Sequence, residues 1–153
     1  MRTPMFDATW HLPDPVSQPE FYADVPVKRL VAWVIDTILI ALISALIVPF
    51  TFFTGIFFFP LLMLVSGFAY RIVTLANGSA TLGMRLTALE FRDPTGARFD
   101  LSLAFWHTLG YSISFAIFPL QIISIVLMMT TSRAQGLSDH MLGTVALNRR
   151  AGY

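Results

Sequence analysis

Arg29 and Asp36 are the residues whose types and spacing point to chemistry. From Thr37 to Tyr70 the chain has no Asp, Glu, Lys, Arg or His, and Asp36 stands at the edge of that stretch. Asp36 follows Arg29 by about 10.5 Å of helical rise, nearly two turns, so the two side chains share a helix face. An aspartate near a membrane interior costs about 2.5–3.5 kcal/mol on insertion scales and persists when protonated, paired or reached by water. Two roles fit: a carboxylate that handles a proton or cation, and an ion pair or interhelical hydrogen bond that fixes packing. Arg29, next to Lys28, also fits a simpler role, snorkelling to the interface and setting orientation. Asp139 lies in GLSDHMLGT and reads as a helix N-cap or turn residue together with Ser138.

A second set is weaker. His107, Ser114 and Gln121 recur every seven residues, with Gly110, Tyr111 and Ser124 on the same side. On one continuous helix they form a polar stripe that either lines a solute path or seals helix contacts. His140 adjoins Asp139 and His11 lies in the N-terminal tail; neither has metal-ligand spacing. There is no Gly-x-Ser-x-Gly, no His-Glu-x-x-His and no cofactor motif, so no enzyme is expected.

The elements that must position these residues are apolar. Of 153 residues, 56% are hydrophobic and 12% charged. A soluble domain carries about 25% charged residues, so a soluble enzyme is ruled down. Ten Lys/Arg against nine Asp/Glu leave no basic excess for nucleic acid. The absence of Cys removes disulfides and thiolate chemistry. Residues 1–25 form a Pro-rich, acidic tail expected to be mostly unstructured, ahead of a membrane unit over 26–150. The apolar run begins after residue 29 and outlasts a signal h-region, so it reads as a retained helix. Membrane helices are expected over about 29–48 and 55–75, with a polar segment over 77–100. The apolar segment 101–131 is either one crossing or a short helical hairpin kinked at Pro119, and a tail follows over 132–153. The expected architecture is an all-α polytopic membrane protein with a small β element over 86–99 and 143–148. Asp93-Pro94-Thr95-Gly96 supplies a turn, and LTALEF, GARF and GTVALN supply three strands.

Charge sets the expected orientation. Lys28, Arg29, Arg71, Arg85, Arg92 and Arg98 flank one side of the apolar helices, and residues 49–55 carry no charge. The positive-inside rule places the N-terminus and the middle segment in the cytoplasm. Arg133, Arg149 and Arg150 ask for the tail on that side too, which favours the hairpin.

Arg29, Asp36 and Asp139, in that order around the apolar segments, resemble the signature of the RDD family of bacterial membrane proteins, named for an arginine and two aspartates. SATLGMRLTALEF is similar to the family's cytoplasmic stretch, with Thr81, Gly83 and Arg85 matching and Met84 where lysine is common. DPTGARF resembles its turn and GTVALNR its final strand. Ser138 and His140 flank Asp139 where other residues are frequent. The resemblance covers about residues 22–150. It implies a multi-pass protein of the bacterial inner membrane, with a transport role suspected for the family and cation–proton exchange associated with some members. Two readings follow. In one, Asp36 exchanges a proton or binds a small cation, Arg29 sets its charge balance, and Asp139 pairs with Arg29 or Arg85 at the cytoplasmic mouth. So small a helical unit cannot surround a path alone, so this reading requires a homo-oligomer or another membrane partner. In the other, the three residues form a structural clasp in a membrane scaffold or assembly protein.

Overall fold

The computed structural model describes residues 12–149. Its helices are α1 (Val25–Ile47), α2 (Phe59–Ala76), α3 (Leu82–Leu86), α4 (Leu101–Ala116), α5 (Phe118–Thr130) and α6 (Leu137–Leu142). Two strands, β1 (Leu89–Arg92) and β2 (Val145–Asn148), pair antiparallel, with Leu89 opposite Asn148 and Arg92 opposite Val145. Among the described helices α1 and α2 are long and apolar enough to cross a membrane. Pro26 and Pro60 fall in their first turns, where a missing N–H costs little.

Burial is inverted relative to a soluble domain. Leu30, Ile38, Leu42 and Leu46 of α1 and Leu61, Leu64 and Val65 of α2 are exposed, while Asp36, Ser44, Thr81, Thr108 and Asp139 are buried. An all-round apolar helix of this kind has lipid, not water, as its solvent. The buried apolar cluster lies at one end of the helices, where Val25, Ala32, Leu75, Met84, Phe91, Phe99 and Ala104 pack together.

The segment 101–131 is a bent pair. α4 and α5 meet at 117° across Ile117, whose backbone is extended. Pro119 sits in the first turn of α5; a continuous helix would require an N–H there that proline lacks. The helices are about 24 Å and 20 Å long, each shorter than a hydrocarbon core of about 30 Å. The break also splits the proposed stripe, leaving His107, Tyr111 and Ser114 on α4 and Gln121 on α5.

Both ends of the described chain meet at the start of α1. Lys28 Nζ donates to Asn148 Oδ1 at 2.7 Å. Asn148 Nδ2 donates to the carbonyls of Glu20 and Ala23. The expectation of an unstructured tail to residue 25 therefore fails for residues 12–24. Leu12 and Tyr22 are buried against Val145 and Leu147 of β2, and Tyr22 Oη donates to the Pro13 carbonyl. The prolines exclude regular helix there, yet the few apolar residues find a sheet face to cover. Residues 1–11, with His11, and Arg150 lie outside the described residues.

The expected third strand is also absent among the described residues. Asp93–Gly96 forms the turn, with Asp93 Oδ1 accepting from the N–H groups of Thr95 and Ala97. Beyond it, the Phe99 N–H donates to Ser79 Oγ rather than to a ladder, and Ser79 Oγ donates to the Phe91 carbonyl. A buried serine side chain takes the place of strand pairing, so GARF runs as coil.

Candidate functional site

The two aspartates form two separate nodes. Asp36, 3% exposed, lies mid-way along α1 and faces the start of α3. Tyr70 Oη donates to its Oδ1 and Thr81 Oγ1 to its Oδ2, both at 2.6 Å. The Gly83 N–H donates to Oδ1 at 2.9 Å. Both hydroxyl protons are committed by what their oxygens accept. Tyr70 Oη accepts from the Leu82 N–H, and Thr81 Oγ1, as N-cap of α3, accepts from the Met84 N–H. Three donors thus converge on one carboxylate. Gly83 is required sterically, since a Cβ there would collide with the Ala32 carbonyl oxygen and stand 2.9 Å from Asp36 Oδ1.

Asp139, 1% exposed, occupies the first turn of α6. Arg29 Nη1 donates to Oδ2 at 2.6 Å, and the Gly136 N–H to the same oxygen at 3.1 Å. His107 Nε2 lies 2.8 Å from Oδ1, and Thr144 Oγ1 donates to that oxygen at 2.7 Å. One carboxylate ties α1, α4, α6 and the approach to β2. Burial pushes the Asp139 carboxyl up, but the Arg29 charge and the hydrogen bonds from His107 and Arg29 outweigh it and hold it well below the usual carboxylate range. The ionised carboxylate only accepts, so the imidazole proton sits on Nε2; Nδ1 is buried without a partner. The His107 ring packs on Phe91 and Phe99, and the Arg29 guanidinium lies over Phe91.

The residues singled out in the sequence divide accordingly. Arg29 meets Asp139, not Asp36; no hydrogen bond or ion pair joins Arg29 to Asp36 among the described residues. The shared helix face is real, but α3 intervenes at Asp36 and α6 at Arg29. Arg85 meets neither aspartate and reaches the Thr74 carbonyl at 3.5 Å. Of the stripe, His107 belongs to the Asp139 node. Tyr111 Oη accepts from Trp33 Nε1 at 2.7 Å, and Ser114 is buried. Gln121 lies on α5, beyond the bend. Ser124 Oγ accepts from the Leu137 N–H, which joins α5 to α6. Among the described residues no group of three or more His, Asp or Glu is placed to hold a metal.

Sequence reasoning missed Tyr70 and Thr144 as partners of the aspartates, and Arg71 as a half-buried group stacked on Tyr111. Tyr70 and Arg71 sit where the charge-free stretch ends, which is the one signal that marks them.

No curated protein and no solved structure is significantly similar to the chain. The model of the RDD family matches residues 24–143, which takes in Arg29, Asp36, the α3 segment and Asp139. The chain is therefore a member of the RDD family, a membrane protein built on apolar helices.

Proposed function

We propose that this chain is a non-catalytic scaffold or assembly component of the bacterial inner membrane, in which Asp36 and Asp139 are clasps rather than carriers. The observation behind this reading is that both carboxylates are engaged by donors of the same chain. Asp36 accepts from α2, the Thr81 cap and α3, and Asp139 accepts from α1, α4, α6 and Thr144. Proton-coupled cation exchange through Asp36 would require those donors to let go at every cycle.

The chain spans the bilayer through α1 and α2, and α4–α5 enters as a short hairpin returning to the same side. The contact of Lys28 with Asn148 supports that return. The cytoplasm is the side with Lys28, Arg29, Arg71, Arg85, Arg92 and Arg98, because the loop between α1 and α2 carries no charge.

The test pairs a flux assay with a stability assay. In liposomes with an internal pH-sensitive dye, the native protein gives no pH change on a sodium, potassium or lithium pulse, and Asp36→Asn melts earlier in detergent. A cation-dependent pH change that Asp36→Asn abolishes at unchanged melting temperature would replace the clasp by transport.

A further inference from the structure

One further charged group in the helical region belongs to neither node. Arg71, on α2, is half-buried, and its Cζ stands 4.0 Å from the centroid of the Tyr111 ring on α4. Its Nε is sealed from solvent without a hydrogen-bond partner. Among the described residues no carboxylate oxygen lies within 4.0 Å of its guanidinium, and none of its nitrogens donates to a protein acceptor. Asp36 attracts it from farther away, but is already engaged by Tyr70, Thr81 and Gly83, and Arg29 repels it.

A guanidinium partly withdrawn from water with no anionic partner is costly, and intramembrane charges are kept where something pairs with them. Stacking fixes how this one is presented. Tyr111 covers one face, and its ring is held by the bond from Trp33 Nε1. The terminal nitrogens then offer their edge, a planar fork that suits two oxygens of one oxyanion. Depth narrows the anion. Arg71 is about 7.5 Å of helical rise from the end of α2 at Ala76, on the end of the bundle that also holds Lys28 and Arg29. Phosphate is the abundant oxyanion at that level, and basic pockets between membrane helices take anionic headgroups.

We infer that Arg71, backed by Tyr111 between α2 and α4, is a receiving site for a phosphate oxyanion, presented by an anionic phospholipid headgroup or by free phosphate. This inference does not depend on whether the aspartates are clasps.

Thermal unfolding of the full chain in a neutral detergent tests it, with phosphatidylglycerol, phosphatidylcholine or inorganic phosphate added separately. Phosphatidylglycerol should raise the melting temperature by several degrees more than phosphatidylcholine, whose choline cancels the charge. Arg71→Gln should weaken half-saturation by about tenfold or more, in keeping with the loss of charge-assisted hydrogen bonds. Arg85→Gln, which removes an exposed arginine, should leave the gain intact. A gain from inorganic phosphate that Arg71→Gln removes would make free phosphate the source. No gain from either, or one that survives Arg71→Gln unchanged, overturns the site. Should Arg71→Gln not fold, Arg71→Lys keeps the charge without the fork and must show a weakened gain; equal retention of phosphatidylglycerol and phosphatidylcholine by the native chain in native mass spectrometry overturns it independently.

Discussion

The two ends of α1 are held by opposite means. Over its first half, Arg29 and, at mid-helix, Asp36 bind side chains distant in sequence, and Lys28 ties the C-terminal strand. At its other end, residues 48–58 carry no charge, and Phe50, Phe52, Phe57 and Phe58 point outward. Order there is local. The N–H groups of Phe52, Phe53, Ile56, Phe57 and Phe58 all bond to carbonyls within the loop, and Gly55 bonds to Thr51 Oγ1. The difference shows what specifies a fold when lipid is the solvent. Apolar side chains gain little by leaving hydrocarbon for one another, so long-range placement falls to a few polar groups, and a segment without them can only satisfy its own backbone.

The Asp139 node gives the sharpest test of that contrast. Asp139→Ala leaves Arg29 and His107 without their shared acceptor, and breaking a buried pair costs about 3–5 kcal/mol. A large fall in melting temperature, or loss of folded protein, is expected. Exchanging the pair, Arg29→Asp with Asp139→Arg, should recover little, because His107 and Thr144 require an acceptor at residue 139. Acid probes the same node. A depressed carboxyl contributes stability that is complete above the unfolded value of about 3.9 and fades as pH falls toward the folded one. The native chain should lose melting temperature below about pH 4, and Asp139→Asn should flatten that part of the profile. A native profile that stays flat in acid would remove Asp139 from the clasp.

Effects at Asp36 should be smaller, since its partners there are neutral. Asp36→Asn keeps the shape but turns one acceptor into a donor facing a donor, a loss of about 1–3 kcal/mol. Pairing it with Tyr70→Phe should return part of that loss, and strict additivity would mean the two do not interact. Thr81→Val removes both a cap and a donor and should cost about 1 kcal/mol. These are differences in melting temperature at neutral pH.

Much of this was legible in the residues, and the failures have one cause. The apolar runs fixed α1 and α2 to within a few residues, and Pro119 marked the break in 101–131 closely. Arg29 and Asp36 were visible because charge is scarce around them, and Asp139 because its motif resembles that of the family. Their pairing was not, because periodicity relates residues on one helix and says nothing of what another element inserts between them. Asp36 and Arg29 share a face, yet α3 reaches Asp36 and α6 reaches Arg29. The same blindness hid Ser79, whose hydroxyl takes the place of a third strand, and Leu12 and Tyr22, whose sheet face exists only after β1 and β2 pair.

The smallest effect belongs to the phenylalanine loop and tests the other half of the contrast. Phe52 is 91% exposed, and its backbone bond to Pro49 does not involve the ring. Phe52→Ser in detergent should therefore shift stability by no more than about 0.5 kcal/mol, as for surface substitutions in general. The same position reads orientation without disturbing the nodes. The chain has no cysteine, so Phe52→Cys introduces the one thiol. A membrane-impermeant maleimide should label it from outside intact spheroplasts, because a loop without charge is left outside by the positive-inside rule. Labelling only after the membrane is broken would put the loop in the cytoplasm and the cationic end outside. A large stability loss from Phe52→Ser would mean that this end, too, is held by contacts beyond its own backbone.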